Sequence, residues 1–224
     1  TVGRFGLTPV SSRDFGGFVL AVIIGVAGIV LSLPLGILLA LGRRSDLPIV
    51  KGFSVAFIEM IRGVPLIVWL FTAYYLLNYF LPPGTEFDLI LRVVIMVTLF
   101  SAAYIAEVVR GGLAALPKGQ FEAADSLGLD YWKAMRLIVL PQALKISIPG
   151  IVNTFIGLYK DTTLVGIIGL LDPLNLSNTI RASTDWNGVY YELFVFIGLF
   201  FFISCFSMGR YSLWLENKLQ HGHR

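Results

Sequence analysis

The chain has 224 residues, 56% of them hydrophobic and 14% charged, with a mean hydropathy of +0.80 and a formal net charge of +3. Residues 15–42 and 64–85 carry no charge at all, and a soluble chain, with about 25% charged residues, would have to bury runs of that length on every face. A water-soluble globular protein is excluded, as is a disulfide framework within the chain, because Cys205 is the single cysteine and reads as a small apolar packing residue.

The chain begins at Thr1 rather than Met, and residues 1–14 lack the apolar run of a signal peptide. Processing or a longer preceding portion would each account for that start. Five spans are expected in an all-α membrane protein. The first covers residues 15–41, with Pro34 as a kink. At about 1.5 Å per residue it crosses the roughly 30 Å hydrocarbon core. The second covers residues 64–81, preceded by an amphipathic stretch, residues 50–62, that either lies at the interface or extends the helix inward. Pro82-Pro83-Gly84 is a turn before the third span, residues 89–109. The fourth covers residues 146–170, interrupted by polar groups, and the fifth residues 190–208.

Positive charge sets the direction of such a chain. Arg43, Arg44, Lys51, Arg62, Arg110, Lys118, Lys133, Arg136, Lys145, Arg210, Lys218 and Arg224 fall on one set of connections, against Arg4, Arg13, Arg92, Lys160 and Arg181 on the other. The N-terminus is therefore expected outside and the C-terminus in the cytoplasm. The basic residues flank apolar segments, which explains the net charge better than nucleic-acid binding does.

Residues 117–141 are then cytoplasmic. Gly119 to Leu127 reads as a short helix with an acidic first turn, stopped by a left-handed Gly128. Asp130 caps a second helix from Tyr131 to Leu140, ended by Pro141. Phe121, Leu127, Leu129 and Tyr131 need a partner to cover them. By spacing alone, such a hairpin is either a docking element or an ordinary structured loop.

Its residues carry a resemblance. Glu122-Ala123-Ala124, Gly128, Ile138 and Leu140-Pro141 match the signature of ABC-importer permeases. Glu59-Met60-Ile61-Arg62-Gly63-Val64-Pro65-Leu66, Ser101-Ala102-Ala103-Tyr104 with Glu107 and Arg110-Gly111, and Lys160-Asp161-Thr162-Thr163-Leu164 resemble segments of the polar amino-acid permeases, with Thr163 in place of a serine. The wording of Leu31 to Ser45 resembles the M-type permease of the general L-amino-acid importer. The resemblance implies a permease domain over residues 15–216 with the type I importer fold, an extracytoplasmic segment over residues 1–14 and a cytoplasmic tail over residues 217–224, in a bacterial inner membrane. It implies two cytoplasmic ATPase subunits that bind ATP and Mg, a second, non-identical permease, and an extracytoplasmic amino-acid-binding protein. Phe121, Glu122, Ala123, Ala124, Gly128 and Leu129 would dock the hairpin on the ATPase. Glu122 would ion-pair with that partner or cap the hairpin internally.

Charges inside a bilayer cost about 2.5–3.5 kcal/mol each on insertion scales, so they mark sites or structural networks. Lys160 and Asp161, with Thr162 and Thr163, lie inside the fourth apolar run and are expected to break the helix there. They suit the carboxylate and ammonium of an amino acid, or else hold the break together. Asn153, Thr154 and Tyr104 would line the same path or pack between helices. Glu59 and Arg62, three apart, are expected to pair, and with Glu107 to form a gating or structural network. His221 and His223 are read as a solvated tail rather than a metal site. No Gly-x-x-x-x-Gly-Lys-[Ser/Thr] loop, catalytic triad or metal-ligand cluster is present in the sequence, which argues against ATP hydrolysis by this chain and against a membrane enzyme. An ion-gradient-driven transporter or channel is the competing reading, opposed by the hairpin and the lack of an inverted repeat.

Overall fold

The computed structural model describes residues 10–76, 79–80, 87–186 and 188–220. The Pro82-Pro83-Gly84 turn, His221, His223 and parts of both expected terminal segments lie outside them. The secondary structure is helical, as the all-α expectation requires. Helix α1 is Gly17–Arg43, α2 Pro48–Gly63 and α3 Leu66–Phe71, the last continued by a wide π-turn, Thr72–Leu76. Helix α4 is Leu89–Ala114, α5 Lys118–Ser126, and α6 Tyr131–Ala134, followed by a second π-turn, Met135–Val139. Helix α7 is Leu140–Asp161, continued by a 3₁₀ turn, Thr162–Ile168; α8 is Pro173–Arg181 and α9 Tyr191–Gln220.

Among the described residues four helical stretches are long and apolar enough to cross a membrane, and counting α2 and α3 together as one span brings the total to five. The helix is interrupted between Gly63 and Leu66, so the amphipathic stretch does not continue into the second span as one unbroken helix. Pro65, which cannot continue a helix at that φ/ψ, supplies the break (φ −58°, ψ 145°). Pro34, by contrast, lies within an uninterrupted α1.

Three local expectations need correction. Helix α5 begins at Lys118 behind Pro117, so Glu122 is not in its first turn, and no acidic side chain caps its N-terminus. Pro141 does not end the second hairpin helix. The Leu140 N–H donates to the Met135 carbonyl five residues back, and the Gln142 side-chain amide donates to the Ile138 carbonyl at 3.0 Å. The widened turn absorbs the missing proline donor, and the helix runs on into the span. At Lys160-Asp161 the chain tightens rather than breaks: α-helix gives way to the 3₁₀ turn, which ends at Gly169 with φ +87°.

The described residues form two compact units. One comprises the described parts of Thr1–Val30, Val64–Thr98 and Gly157–Ser204. Its core contains Leu20, Ile24, Leu70, Val93, Val97, Val165 and Leu170, all fully buried or nearly so. Gly17 N–H donates to the Leu171 carbonyl at 2.6 Å. Asp172, 1% exposed, caps α8 by accepting from the Leu174 and Asn175 N–H groups at 3.0 and 3.1 Å. Burial pushes its carboxyl up from the ordinary range.

The other unit comprises Leu31–Gly63, Leu99–Ile156 and the described part of Cys205–Arg224. Its core is Leu39, Ala40, Ile58, Ile105, Val109, Leu113, Met135 and Val139 with their neighbours. Here α4 and α7 approach closely: a Cβ on Gly112 would overlap the Ser147 hydroxyl and the Ala143 carbonyl. Small residues at such contacts let apolar helices associate where lipid gives no hydrophobic driving force.

Candidate functional site

The hairpin is built by local chemistry. At the end of α5, Leu129 N–H donates to the Ala124 carbonyl at 3.2 Å and Gly128 N–H to the Asp125 carbonyl at 2.9 Å. This paired return needs a left-handed residue, and Gly128 has φ +66°. Asp130 then caps α6, accepting from Lys133 N–H at 3.0 Å and pairing with the Lys133 ammonium at 3.0 Å. Those two contacts hold the Asp130 carboxyl below the usual carboxylate range.

The hairpin has an inward and an outward face. Ala124 is fully buried, Phe121 packs against the core cluster, and the Arg44 guanidinium lies 5.5 Å above its ring. Gln142 donates to the Gln120 side-chain oxygen at 2.8 Å, tying α5 to α7. Glu122, Ala123 and Gly128 are exposed, and Leu129 is half-buried. Leu127 and Trp132 are 72% and 70% exposed. Phe121 and Ala124 thus anchor the hairpin to its own chain, while Ala123, Leu127 and Trp132 present the apolar outer surface. The Glu122 carboxylate makes no hydrogen bond or ion pair among the described residues, so internal capping falls to Asp130 instead. Trp132 is not among the residues the sequence pattern marks for docking; the adjacent aromatic pair Tyr131-Trp132 is the signal that points to it.

The second group centres on Glu107 of α4. Its Oε1 accepts from Arg43 Nη1 at 2.7 Å, and its Oε2 accepts from Arg110 Nε and Nη2 at 3.0 and 2.9 Å. Arg43, the last residue of α1, also donates to Glu59 of α2 at 2.9 Å. Arg62 lies 3.6 Å from Glu107 Oε2, with its guanidinium 5.4 Å from the Tyr104 ring centroid. The expected Glu59–Arg62 pair is therefore replaced: Arg43 reaches Glu59 first, and the more deeply set Glu107, 16% exposed, draws Arg62. Arg43 and Arg110 escaped the sequence reading as network members, although Arg110 stands at i+3 from Glu107, a spacing that permits pairing.

The third group is the end of α7. Lys160 and Asn153 are exposed, and Thr154, Asp161 and Thr163 are partly buried. Neither the Lys160 ammonium nor the Asp161 carboxylate has a hydrogen-bond or ion-pair partner among the described residues. Thr162 is fully buried and donates to the Tyr159 carbonyl at 2.7 Å, Thr163 donates to the Lys160 carbonyl at 2.9 Å, and Thr154 to the Gly150 carbonyl at 2.9 Å. The threonine hydroxyls serve the helix backbone, and Asp161 and Lys160 are left as the uncommitted polar groups of the segment.

Comparison with known proteins fits this arrangement. The family model described as a binding-protein-dependent transport system inner membrane component matches residues 32–221. Over 219 residues, 97% of the chain, the sequence is 68% identical to the glutamate/glutamine/aspartate/asparagine transport system permease protein BztC of Rhodobacter capsulatus, covering 50% of that protein. It is 53% identical over 220 residues to the inner membrane amino-acid ABC transporter permease protein YhdY of Escherichia coli, 98% of the chain and 60% of that protein. The chain thus spans about half the length of these relatives. A crystal structure of an amino acid ABC transporter with histidines superimposes with a TM-score of 0.78 at 28% identity, covering 89% of this chain and 91% of that one. The MetNI methionine ABC transporter in an inward-facing conformation shares the fold at a TM-score of 0.66 and 21% identity, over 88% of this chain and 92% of that one.

Proposed function

Because the chain belongs to the family of binding-protein-dependent transport system inner membrane components, we propose that it is the membrane-spanning permease subunit of an ATP-driven importer of L-amino acids. The hairpin carries this reading. Its anchored inner face and its exposed Ala123, Leu127 and Trp132 form a surface built to be covered by another protein, and an ion-driven transporter has no use for it. The relatives' names supply the substrate class, and the wording of Leu31 to Ser45 favours the general importer's M-type subunit.

In this reading two cytoplasmic ATPase subunits bind and hydrolyse ATP with Mg, and this chain does no chemistry. The hairpin is cytoplasmic, with the N-terminal side of α1 outside and the C-terminal end of α9 inside. Closure of the ATPases pushes on Leu127 and Trp132, and the Phe121–Arg44 and Gln120–Gln142 contacts carry that push to α1 and α7. Asp161 meets the ammonium of the passing amino acid, with Lys160, Asn153, Thr154, Thr163 and Tyr104 beside the path. A second, non-identical permease completes the pathway, and an extracytoplasmic binding protein delivers the substrate. Helix α9 is left for a further subunit and lipid to cover, because only 6% of its apolar stretch is buried within the chain, against 61% for α4.

The test is a mild-detergent pull-down from the native membrane with identification of the co-purifying proteins. Recovery of a nucleotide-binding ATPase and a second permease is expected. Recovery of the chain alone, with uptake surviving ATP depletion, would make it an ion-gradient-driven transporter instead. Gly128→Val strains the left-handed turn by roughly 1–2 kcal/mol. It should leave insertion intact while uptake is lost at undiminished ATP hydrolysis; normal coupled uptake would remove the hairpin from the mechanism.

A further inference from the structure

The charges around Glu107 do not balance. Arg43, Arg62 and Arg110 bring three positive charges, and Glu59 and Glu107 bring two negative ones. The hydrogen bonds do not balance either. Glu107 Oε1 is engaged by Arg43, and Oε2 by two N–H groups of Arg110. Arg62 arrives third, at 3.6 Å, beyond hydrogen-bond reach. Among the described residues its guanidinium donates no hydrogen bond, yet it is held in place by the Glu107 charge and by the Tyr104 ring 5.4 Å away. Its side chain is 34% exposed, so it is not sealed within the cluster.

A guanidinium has five N–H donors in a planar fork that fits a carboxylate with two parallel hydrogen bonds. Here that fork is positioned, uncommitted and part of a cluster carrying one excess positive charge. Glu107 cannot satisfy it without releasing Arg110. An incoming carboxylate would neutralise the excess charge and take up the donors while Arg43 and Arg110 stay where they are. An ammonium group would gain nothing from Arg62.

We propose that Arg62, backed by Tyr104, binds the α-carboxylate of the transported amino acid. The inference rests on the importer reading above and gives Arg62 a ligand where charge pairing alone would make it a strut. The Tyr104 ring attracts the guanidinium from one side, and the Glu107 charge keeps it from swinging into solvent.

The experiment uses the intact complex with its ATPases in lipid nanodiscs, without the soluble binding protein, and measures equilibrium binding of L-glutamine and of its α-amide, glutaminamide. The amide keeps the side chain and ammonium and lacks only the carboxylate. The wild-type complex should prefer glutamine by about tenfold, the range of one charge-assisted pair of hydrogen bonds. Arg62→Gln should reduce that preference to below about twofold by weakening glutamine binding and leaving amide binding unchanged, and Arg62→Lys should restore part of it. The thermal midpoint should stay near the wild-type value, since Arg43 and Arg110 still satisfy Glu107. A preference that survives Arg62→Gln, an equal loss of both ligands, or a wild-type complex that binds neither probe overturns the proposal. ATP-dependent amino-acid uptake by the same wild-type complex keeps the importer reading standing in each of those cases, and its absence removes that reading separately.

Discussion

Glu107 and Asp161 are both carboxylates on long apolar helices, and their surroundings differ in kind. Glu107 accepts three hydrogen bonds from two arginines and has a third arginine beside it. Asp161 has a lysine as its sequence neighbour and no hydrogen bond among the described residues. Adjacent residues on a helix point in different directions, so Lys160 cannot fold back onto Asp161 across a turn. A charge in an apolar setting persists because it is satisfied or because its exposure serves a task. The first describes Glu107, the second is what we propose for Asp161, and the contrast predicts which substitutions damage the fold and which damage transport.

The largest effect should come from Glu107→Gln. It leaves Arg43 and Arg110 facing a neutral amide in a cluster that then carries an excess of two positive charges. Breaking a buried pair costs about 3–5 kcal/mol; with Glu107 at 16% and the arginines at 25–43% exposure, a loss nearer 2–3 kcal/mol is expected. Thermal unfolding of the purified complex would read it, and an unshifted midpoint would mean that the hub is ornamental to stability. Asp161→Asn should leave that midpoint unchanged, because no partner is lost, while uptake falls about tenfold through the missing ammonium contact. Destabilisation without a transport defect would reverse the comparison and make Asp161 a structural residue. The smallest effect belongs to Glu59→Gln. Glu59 is 57% exposed and Arg43 keeps Glu107, so a change of at most about 0.5–1 kcal/mol is expected. A loss as large as that of Glu107→Gln would place the centre of the network on Glu59.

Much of the hairpin was legible from the residues. Gly128 and Asp130 act on backbone groups within five positions of themselves, so their roles follow from stop and cap chemistry without tertiary information. The start of α5 was less legible, because Pro117 opens that helix and the acidic residues sit too late to serve its dipole. The continuation through Pro141 was not legible: a proline ends a helix or is carried by a widened turn, and here the Leu140 N–H reaches back five residues to the Met135 carbonyl. The Lys160-Asp161 segment was recognised as unusual, but whether it would break or tighten depended on packing around Thr162, which is fully buried.

By itself the sequence determined that the chain spans a membrane several times, where its hairpin turns, and which charges stand in apolar surroundings. Each of these depends on local composition or on bonds between near neighbours. Only the tertiary structure decided which arginine reaches which carboxylate. Arg43 is 64 residues from Glu107 and 16 from Glu59, and no spacing rule connects residues on three helices. The helix packing brings three arginines to Glu107, and the two oxygens of that carboxylate then leave Arg62 without a hydrogen bond.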